Sequence, residues 1–214
     1  MTIPEITKQI IKENKQYIID KNYQELFNNL NSQERKLITQ MLWVSNIDFL
    51  SHMNKIMPNM FEHVDWLDKL DIPDNISKIV GSAFATSSIK EVSLPKYLKH
   101  EKLGAYIFER CVQLSKVTFK DNSLTAIPVG MFANCSSLKN IDLPNKLQFI
   151  GTSAFMDTDI REIVLPETLI SIGAYAFNPD VLDKIHFMGS ENQWNNISKP
   201  GNAGIQNAAI TFER

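Results

Sequence analysis

The stretches LTAIPVGMFANCSSLKNIDLP at residues 124–144 and LQFIGTSAFMDTDIREIVLP at residues 147–166 share one pattern. Each has an aliphatic residue five positions before a phenylalanine, and each ends in alternating apolar residues followed by proline. The phenylalanine recurs along the chain at intervals of 22–24 residues, at Phe61, Phe84, Phe108, Phe132, Phe155 and Phe177. Six copies of one frame indicate a protein built from stacked structural repeats.

The end of each repeat has the pattern of a short strand with one buried face, because its apolar residues alternate with polar ones. Proline cannot donate a hydrogen bond to a sheet, so it ends the strand in four of the repeats, at Pro73, Pro95, Pro144 and Pro166. A unit of 22–25 residues cannot bury its own phenylalanine, and the units must therefore stack. The sequence predicts a solenoid with a parallel sheet along one side.

The third repeat, residues 96–120, is the longest of the six. Residues 99–101 have the character of an insertion, and Lys120 stands where four other repeats have the terminal proline. We expect the solenoid to be locally irregular at this repeat.

The shared frame, Ile-x-x-Ile-Gly-x-x-Ala-Phe-x-x-Cys-x-x-Leu-x-x-Ile-x-Leu-Pro, resembles the BspA-type (Treponema pallidum-like) leucine-rich repeats of bacteria and their viruses. The resemblance covers roughly residues 56–214, and residues 187–190, 193–197 and 209–212 resemble the usual end-piece of that family. It implies an α+β solenoid of about six leucine-rich repeats with a parallel β-sheet face. It also implies a binding scaffold, since such repeats are reused for many partners.

The chain before the repeats has helical spacing and contains no glycine. Thr2-x-x-Glu5 fits a capping box ahead of a first helix, whose stripe of isoleucines ends at Ile19. Asn31-x-x-Glu34 fits a capping box that starts a second helix. The apolar residues expected on the inside of that helix are Leu37, Ile38, Met41, Leu42 and Val44. Shorter helices are expected around residues 23–30 and 47–55. Two interpretations stay open for this region: a cap on the first repeat, or a partner-binding or dimerising helical domain.

These patterns divide the chain into an α-helical N-terminal region or cap at residues 1–55, leucine-rich repeats at residues 56–190 and a C-terminal cap at residues 191–214. An open solenoid end exposes apolar residues and needs a cover. At the C-terminal end we expect that cover to be a buried plug of Trp194, Ile197, Ile210 and Phe212.

Residues that could carry catalysis or bind a cofactor are scattered. The four histidines share no metal-ligand spacing, and the glycines form neither a P-loop nor a dinucleotide fingerprint. No nucleophilic triad can be assembled from the sequence. We therefore expect a protein that is not an enzyme, with no catalytic residues, no cofactor and no metal.

The two cysteines, Cys111 and Cys135, each follow a repeat phenylalanine by three residues. Equivalent positions stack in neighbouring turns, so this spacing favours two small buried thiols in a ladder over a disulfide or a catalytic nucleophile.

Composition limits the classes of partner. The net charge of −2 in 214 residues argues against nucleic-acid and membrane-surface binding. The N-terminus lacks the pattern of a signal peptide and no apolar run reaches 18 residues, so we expect a soluble, cytoplasmic protein. The chain has 18 lysines, 19 asparagines and 25 isoleucines, a richness that suggests an AT-rich genome.

The polar residues of the predicted strands point outward onto the exposed face of the sheet. Side chains at equivalent strand positions of successive repeats form columns on this face, and the first column is close to alternating in charge. Such a column suits a solvated face whose charges neutralise one another. The alternative is a mixed polar binding surface centred on the middle repeats. The residues we expect to bind a protein partner are Lys116, Lys139, Asn140, Asp142, Arg161, Glu162 and Val164. Such a mixed face suits a protein better than DNA, which calls for an uninterrupted basic stripe.

The sequence as a whole favours an intracellular protein–protein interaction module, encoded by a bacteriophage or bacterium, that binds or inhibits a host protein. The alternative is a structural or surface protein, such as a virion component or a host-attachment adhesin. The identity of the partner and the oligomeric state are left open.

Overall fold

The structure is a computed structural model that describes residues 3–45 and 48–213. Four helices come first: α1 (Ile3–Glu13), α2 (Lys15–Ile19), α3 (Tyr23–Asn29) and α4 (Ser32–Val44). The rest of the described chain is a solenoid in which most turns contribute one short and one long β-strand. A fifth helix, α5 (Glu191–Asn196), lies near its C-terminal end.

The strands form parallel ladders on two sides of the solenoid. The short strands are β1 (Lys55–Ile56), β3 (Lys78–Ile79), β6 (Ala126–Ile127), β7 (Phe149–Ile150) and β9 (Ser171–Ile172). The long strands are β2 (Lys69–Asp71), β4 (Glu91–Leu94), β5 (Lys116–Phe119), β8 (Glu162–Leu165), β10 (Lys184–Phe187) and β11 (Ala209–Phe212).

The leucine-rich repeats are confirmed, but the architecture is a β-solenoid of about seven turns, to which the predicted α+β label fits only loosely. The additional turn arises at the C-terminal end. There β11 pairs with β10, and Ser198 forms a parallel bridge to Ser171, so this segment continues both ladders.

The repeat phenylalanines form a continuous stack through the centre of the solenoid, which we call the phenylalanine spine. Neighbouring rings lie 4.8–5.7 Å apart between centroids and within 19° of parallel. All six rings are buried. Because each ring is covered by the rings of the next turns, the apolar surface that one repeat cannot bury alone is removed from water by its neighbours.

Each repeat turns sharply just before its phenylalanine. The residue two positions before it has a positive φ in all six repeats, at Asn59, Ser82, Tyr106, Gly130, Ser153 and Tyr175. Gly130 is the only glycine among them, with φ +59°, and a Cβ at this position would lie 2.2 Å from the ring of Tyr106. Other residue types hold this φ in the other five repeats, so what sets Gly130 apart is the ring of Tyr106, which leaves no room for a side chain.

The prediction of two buried thiols is confirmed, since Cys111 and Cys135 are free and fully buried. Cys111 Sγ donates to Phe84 O at 3.0 Å, and Cys135 Sγ donates to Phe108 O at 3.1 Å, so each thiol ties its turn to the preceding one. Burial raises the pKa of Cys111 to about 11. Burial, followed by repulsion from the neighbouring Cys111, also raises the pKa of Cys135, and this favours the neutral form of both thiols.

The helix that opens at Asn31 is confirmed. The Asn31 side chain accepts from the backbone of Glu34, and the Glu34 side chain accepts from the backbone of Asn31. Ile38 and Leu42 are buried, but Val44 is 75% exposed rather than inside. The end of the first helical stripe, Ile19, is 59% exposed. The capping box at Thr2 lies outside the described residues.

The prediction of a helix at residues 47–55 is wrong. A single 3-10 turn forms at Leu50–His52, and the chain then enters the first short strand at Lys55. Ile47 lies outside the described residues. The reason for the difference is tertiary, because Gln24 of α3 accepts hydrogen bonds from the backbone N–H groups of Asn54 and Lys55 and fixes them in an extended conformation.

The expected C-terminal plug forms in part. Trp194 and Ile197 are buried, whereas Ile210 and Phe212 are only half-buried on the outermost strand. Ser190 and Gln193 form a capping box that starts α5 and fixes the position of Trp194.

The expected irregularity at the third repeat is seen on the short-strand side. Only an isolated bridge joins Ile79 to Leu103, and the ladder resumes at β6. On the long-strand side the third repeat pairs normally through β5, and the interruption comes one repeat later. Residues 139–143 form no strand, although their sequence has the same alternation as the strands on either side.

Candidate protein-binding face

The exposed side of the long strands, which we call the long-strand face, carries the two columns of polar residues expected from the sequence. The register pairs Lys69 with Glu91 and Glu91 with Lys116 on one half of the face. On the other half it pairs Glu162 with Lys184. Most of the first column is therefore a row of alternating charges, and Lys69 Nζ lies 3.0 Å from Glu91 Oε2.

The predicted partner-binding residues occupy the middle of this face. Lys116 and Glu162 are exposed on strands, and Val164 is 52% exposed in register with His186. Asn140 and Asp142 are exposed on the strand-free stretch between the two halves of the sheet.

The basic pair of Lys139 and Arg161 is held by two aspartates. Lys139 Nζ lies 3.8 Å from Asp159 Oδ2, and Arg161 Nη2 lies 3.7 Å from Asp159 Oδ1. On its other side, Arg161 Nη1 donates to Asp183 Oδ2 at 3.5 Å. The four side chains form one row in which both signs are exposed.

The carboxylates closest to this basic pair were missed in the sequence, which pointed to Asp142 and Glu162 instead. Asp183 could have been found by extending the column of Lys139 and Arg161 by one repeat. Asp159 lies in the turn before the strand, where no alternation marks it, and only the fold brings it to the face.

A groove of about 430 Å³ opens between repeats four and five. It is lined by Lys139, Asn140, Asp159, Arg161 and Glu162. The groove coincides with the interruption of the sheet. A partner that enters it meets side chains of both charges.

The interruption also frees backbone groups. Across the described chain, no backbone–backbone hydrogen bond involves residues 139–143. The apolar residues of this stretch, Ile141 and Leu143, are only half-buried, whereas their counterparts Ile163 and Leu165 in the next repeat are buried. Unpaired N–H and C=O groups on an exposed stretch are available to water or to another chain.

Neither a metal centre nor a membrane span is evident in the described ranges. No group of three or more His, Cys, Asp or Glu side chains could hold a metal ion within residues 3–45 and 48–213. None of the helices found there is both long and apolar enough to cross a bilayer.

The stacked turns, the phenylalanine spine and the exposed parallel sheet define a leucine-rich repeat solenoid. More narrowly, the chain belongs to the BspA-type leucine-rich repeat family, whose profile, described as a BspA type leucine rich repeat region, matches six copies over residues 2–111 and 54–183. The resemblance seen in the sequence is thereby confirmed for the family. Such a solenoid is typically a non-enzymatic binding scaffold.

Solved structures of bacterial leucine-rich repeat proteins are similar. A leucine rich cell surface protein from Faecalibacterium prausnitzii A2-165 is 26% identical, with a TM-score of 0.56, over 67% of this chain and 38% of its own. The T. pallidum leucine rich repeat protein is 22% identical, with a TM-score of 0.50, over 56% of this chain and 58% of its own, and shows the fold alone. The chain thus spans less than two thirds of the length of either protein. No curated protein matches the sequence.

Proposed function

We propose that this protein is a non-enzymatic module that recognises a protein partner through the middle of its long-strand face. The observation that carries the proposal is the coincidence of three features at repeat four: the sheet is interrupted, backbone groups are unpaired, and a charged groove opens. The contact residues are Lys116, Lys139, Asn140, Asp142, Arg161, Glu162 and Val164.

The chemistry of the face sets the kind of partner. Lys139 and Arg161 lie beside Asp159 and Asp183, so the partner needs charges of both signs at matching positions. The exposed Val164 adds an apolar contact beside the charged row. Nucleic acid lacks the positive groups that would pair with the two aspartates, which is why a protein is favoured.

We further propose that the module acts in the cytoplasm, is encoded by a bacteriophage or bacterium, and binds or inhibits a host protein. The richness in lysine, asparagine and isoleucine supports an AT-rich genome.

The alternative proposal is a structural or surface role, as a virion component or a host-attachment adhesin. The observation in its favour is the likeness to the F. prausnitzii protein, which is described as a leucine rich cell surface protein. Fractionation of source cells separates the two locations: recovery from the cytosol supports the first proposal, and recovery from the cell surface or from particles supports the alternative.

For the N-terminal helices we propose the role of a cap on the first repeat. Trp43 of α4 packs edge-on against Phe61, the first ring of the phenylalanine spine, at 6.4 Å between centroids. Trp43 also contacts Trp66 at 5.3 Å. These contacts cover the end of the spine that no preceding repeat can cover.

Affinity capture from a lysate of the proposed host, followed by mass spectrometry, tests the binding site. The full chain is compared with Lys139→Glu/Arg161→Glu and with the matched control Lys69→Glu/Lys90→Glu, which makes the same charge change in the first two repeats of the same face. We expect one stoichiometric protein that binds the wild type and the control but not the first variant. A partner that binds all three chains equally would move the site away from repeat four.

A further inference from the structure

Three lysines lie on neighbouring turns of the short-strand side of the solenoid, and Lys102 ends the 3-10 turn His100–Lys102. Lys55 of β1 pairs with Lys78 of β3, and the parallel bridge between Ile79 and Leu103 brings Lys102 beside Lys78. We call these three residues the lysine ladder. Lys78 and Lys102 are exposed and Lys55 is partly exposed.

The same three repeats show what charges do elsewhere in this fold. On the long-strand side, Lys69, Glu91 and Lys116 stand in register, and the two signs alternate. Glu91 forms a salt bridge with Lys69. The pKa of Glu91 is lowered, mainly by the hydrogen bond from Lys69 and further by the positive charges of Lys69 and Lys116.

The lysine ladder has no such neutralising partner. Among the described residues, no carboxylate lies within salt-bridge distance of Lys55, Lys78 or Lys102. The nearest acidic residue in the sequence, Glu101, faces His100 at 3.9 Å.

Like charges in register on neighbouring strands repel each other. Lys55 and Lys78 stand opposite each other on paired strands, whose backbones lie about 4.8 Å apart, and Lys102 follows on the next turn. Like charges placed this way on neighbouring turns destabilise a sheet. A carboxylate that sits between two rungs would cancel this repulsion. In an extended chain the side chains on one side repeat every ~7 Å, so two alternate acidic residues span the three lysines.

We propose that the lysine ladder is a docking surface for an extended acidic segment of a protein partner. The surface lies on a different sheet from the long-strand face, and the proposal does not depend on that face. A nucleic acid is disfavoured because three lysines neutralise few phosphates and the protein as a whole carries a charge of −2.

The test uses a fluorescein-labelled peptide of twelve residues that alternates glutamate and serine, with binding measured by fluorescence anisotropy at low salt. We expect Lys55→Gln/Lys78→Gln/Lys102→Gln to weaken binding about tenfold, which is the effect of losing a few partly exposed ion pairs. The matched control is Lys8→Gln/Lys12→Gln/Lys15→Gln, which removes the same charge from exposed positions of α1 and α2. It should bind the peptide like the wild type.

Equal weakening in both variants, or no binding of the peptide by the wild type, would overturn the proposal. A single-stranded thymidine oligonucleotide of the same charge is run in parallel. If it binds the ladder more tightly than the peptide does, the partner is a nucleic acid and the proposal fails.

A second measurement separates a binding surface from an ordinary solvated one. Lys78 lies between Lys55 and Lys102 in the order of the turns, so Lys78→Glu should replace repulsion from the two neighbouring lysines with attraction. We expect this variant to raise the Tm while it abolishes peptide binding. A lowered Tm with intact folding at room temperature would show that the lysines do not repel each other, and would remove the physical basis of the proposal.

Discussion

The phenylalanine spine and the long-strand face pass through the same repeats but tolerate irregularity differently. At repeat four the spine is intact, with Phe132 stacked 5.7 Å from Phe108 and 5.6 Å from Phe155. On the face of that repeat, residues 139–143 pair with neither neighbouring strand. The difference indicates that the buried aromatic stack holds the turns together, so the sheet can open locally without loss of the fold.

The strongest test of this comparison breaks the spine at the repeat where the face is already open. Phe132→Ala should cost about 3–5 kcal/mol, because it removes a fully buried ring and leaves a cavity between two others. Urea denaturation followed by circular dichroism measures the free energy of unfolding. The control is Phe149→Ala, whose side chain is 39% exposed on a short strand and should cost far less. Similar costs for the two variants would contradict the central role of the spine.

A smaller effect is expected at the turn that leads into Phe132. Gly130→Ala forces a side chain into a backbone with φ +59° and against the ring of Tyr106, and should cost about 2 kcal/mol. The double variant with Tyr106→Ala separates the two causes, since only the steric part is relieved when the ring is absent. An unchanged cost in that background would assign the whole effect to the backbone.

Sequence spacing was sufficient to predict the spine and the buried thiols because both follow from one position in every repeat. Cys111 and Cys135 stack because each lies three residues after a stacked ring. The same reasoning predicts which strand residues point outward, such as Lys69 and Glu91. Periodic features of this kind are local in sequence and are copied from turn to turn.

The interruption could not be predicted in the same way. The residues from Asn140 to Leu143 have the apolar alternation of a strand, and whether they pair depends on where the neighbouring turns lie. The positive φ of Tyr106 and Tyr175 was equally hidden, since bulky residues rarely adopt it. The backbone strain at these two tyrosines is tolerated because the surrounding turns fix the backbone.

The smallest effect on the free energy of unfolding is expected for a contact made by the side chain of Lys120 at the end of a long strand. Lys120, which stands where four repeats have proline, reaches back over the second repeat to Asp71 Oδ1 at 2.6 Å and Asp74 Oδ1 at 3.2 Å. It also donates to Ile72 O at 2.7 Å. Burial lowers the pKa of Lys120, but the hydrogen bonds to the two aspartates outweigh it and leave that pKa raised.

Lys120→Met should therefore cost only about 1 kcal/mol at neutral pH, since the pairs are partly exposed and the methylene stem is retained in the variant. The pKa of Asp74 is lowered, mainly by the backbone N–H of Lys96 and further by the Lys120 ammonium. A carboxyl group whose pKa is lowered in the folded state stabilises the fold at any pH above its pKa in the unfolded chain. This contribution to the free energy of unfolding is lost as the pH falls towards the pKa of the folded state. The difference in unfolding free energy between wild type and variant should accordingly shrink between about pH 5 and pH 2. If the difference persists unchanged in acid, Lys120 acts through its packing and its hydrogen bond to Ile72 O rather than through its charge. The stabilisation by Lys120 would then not depend on its ion pairs with the two aspartates.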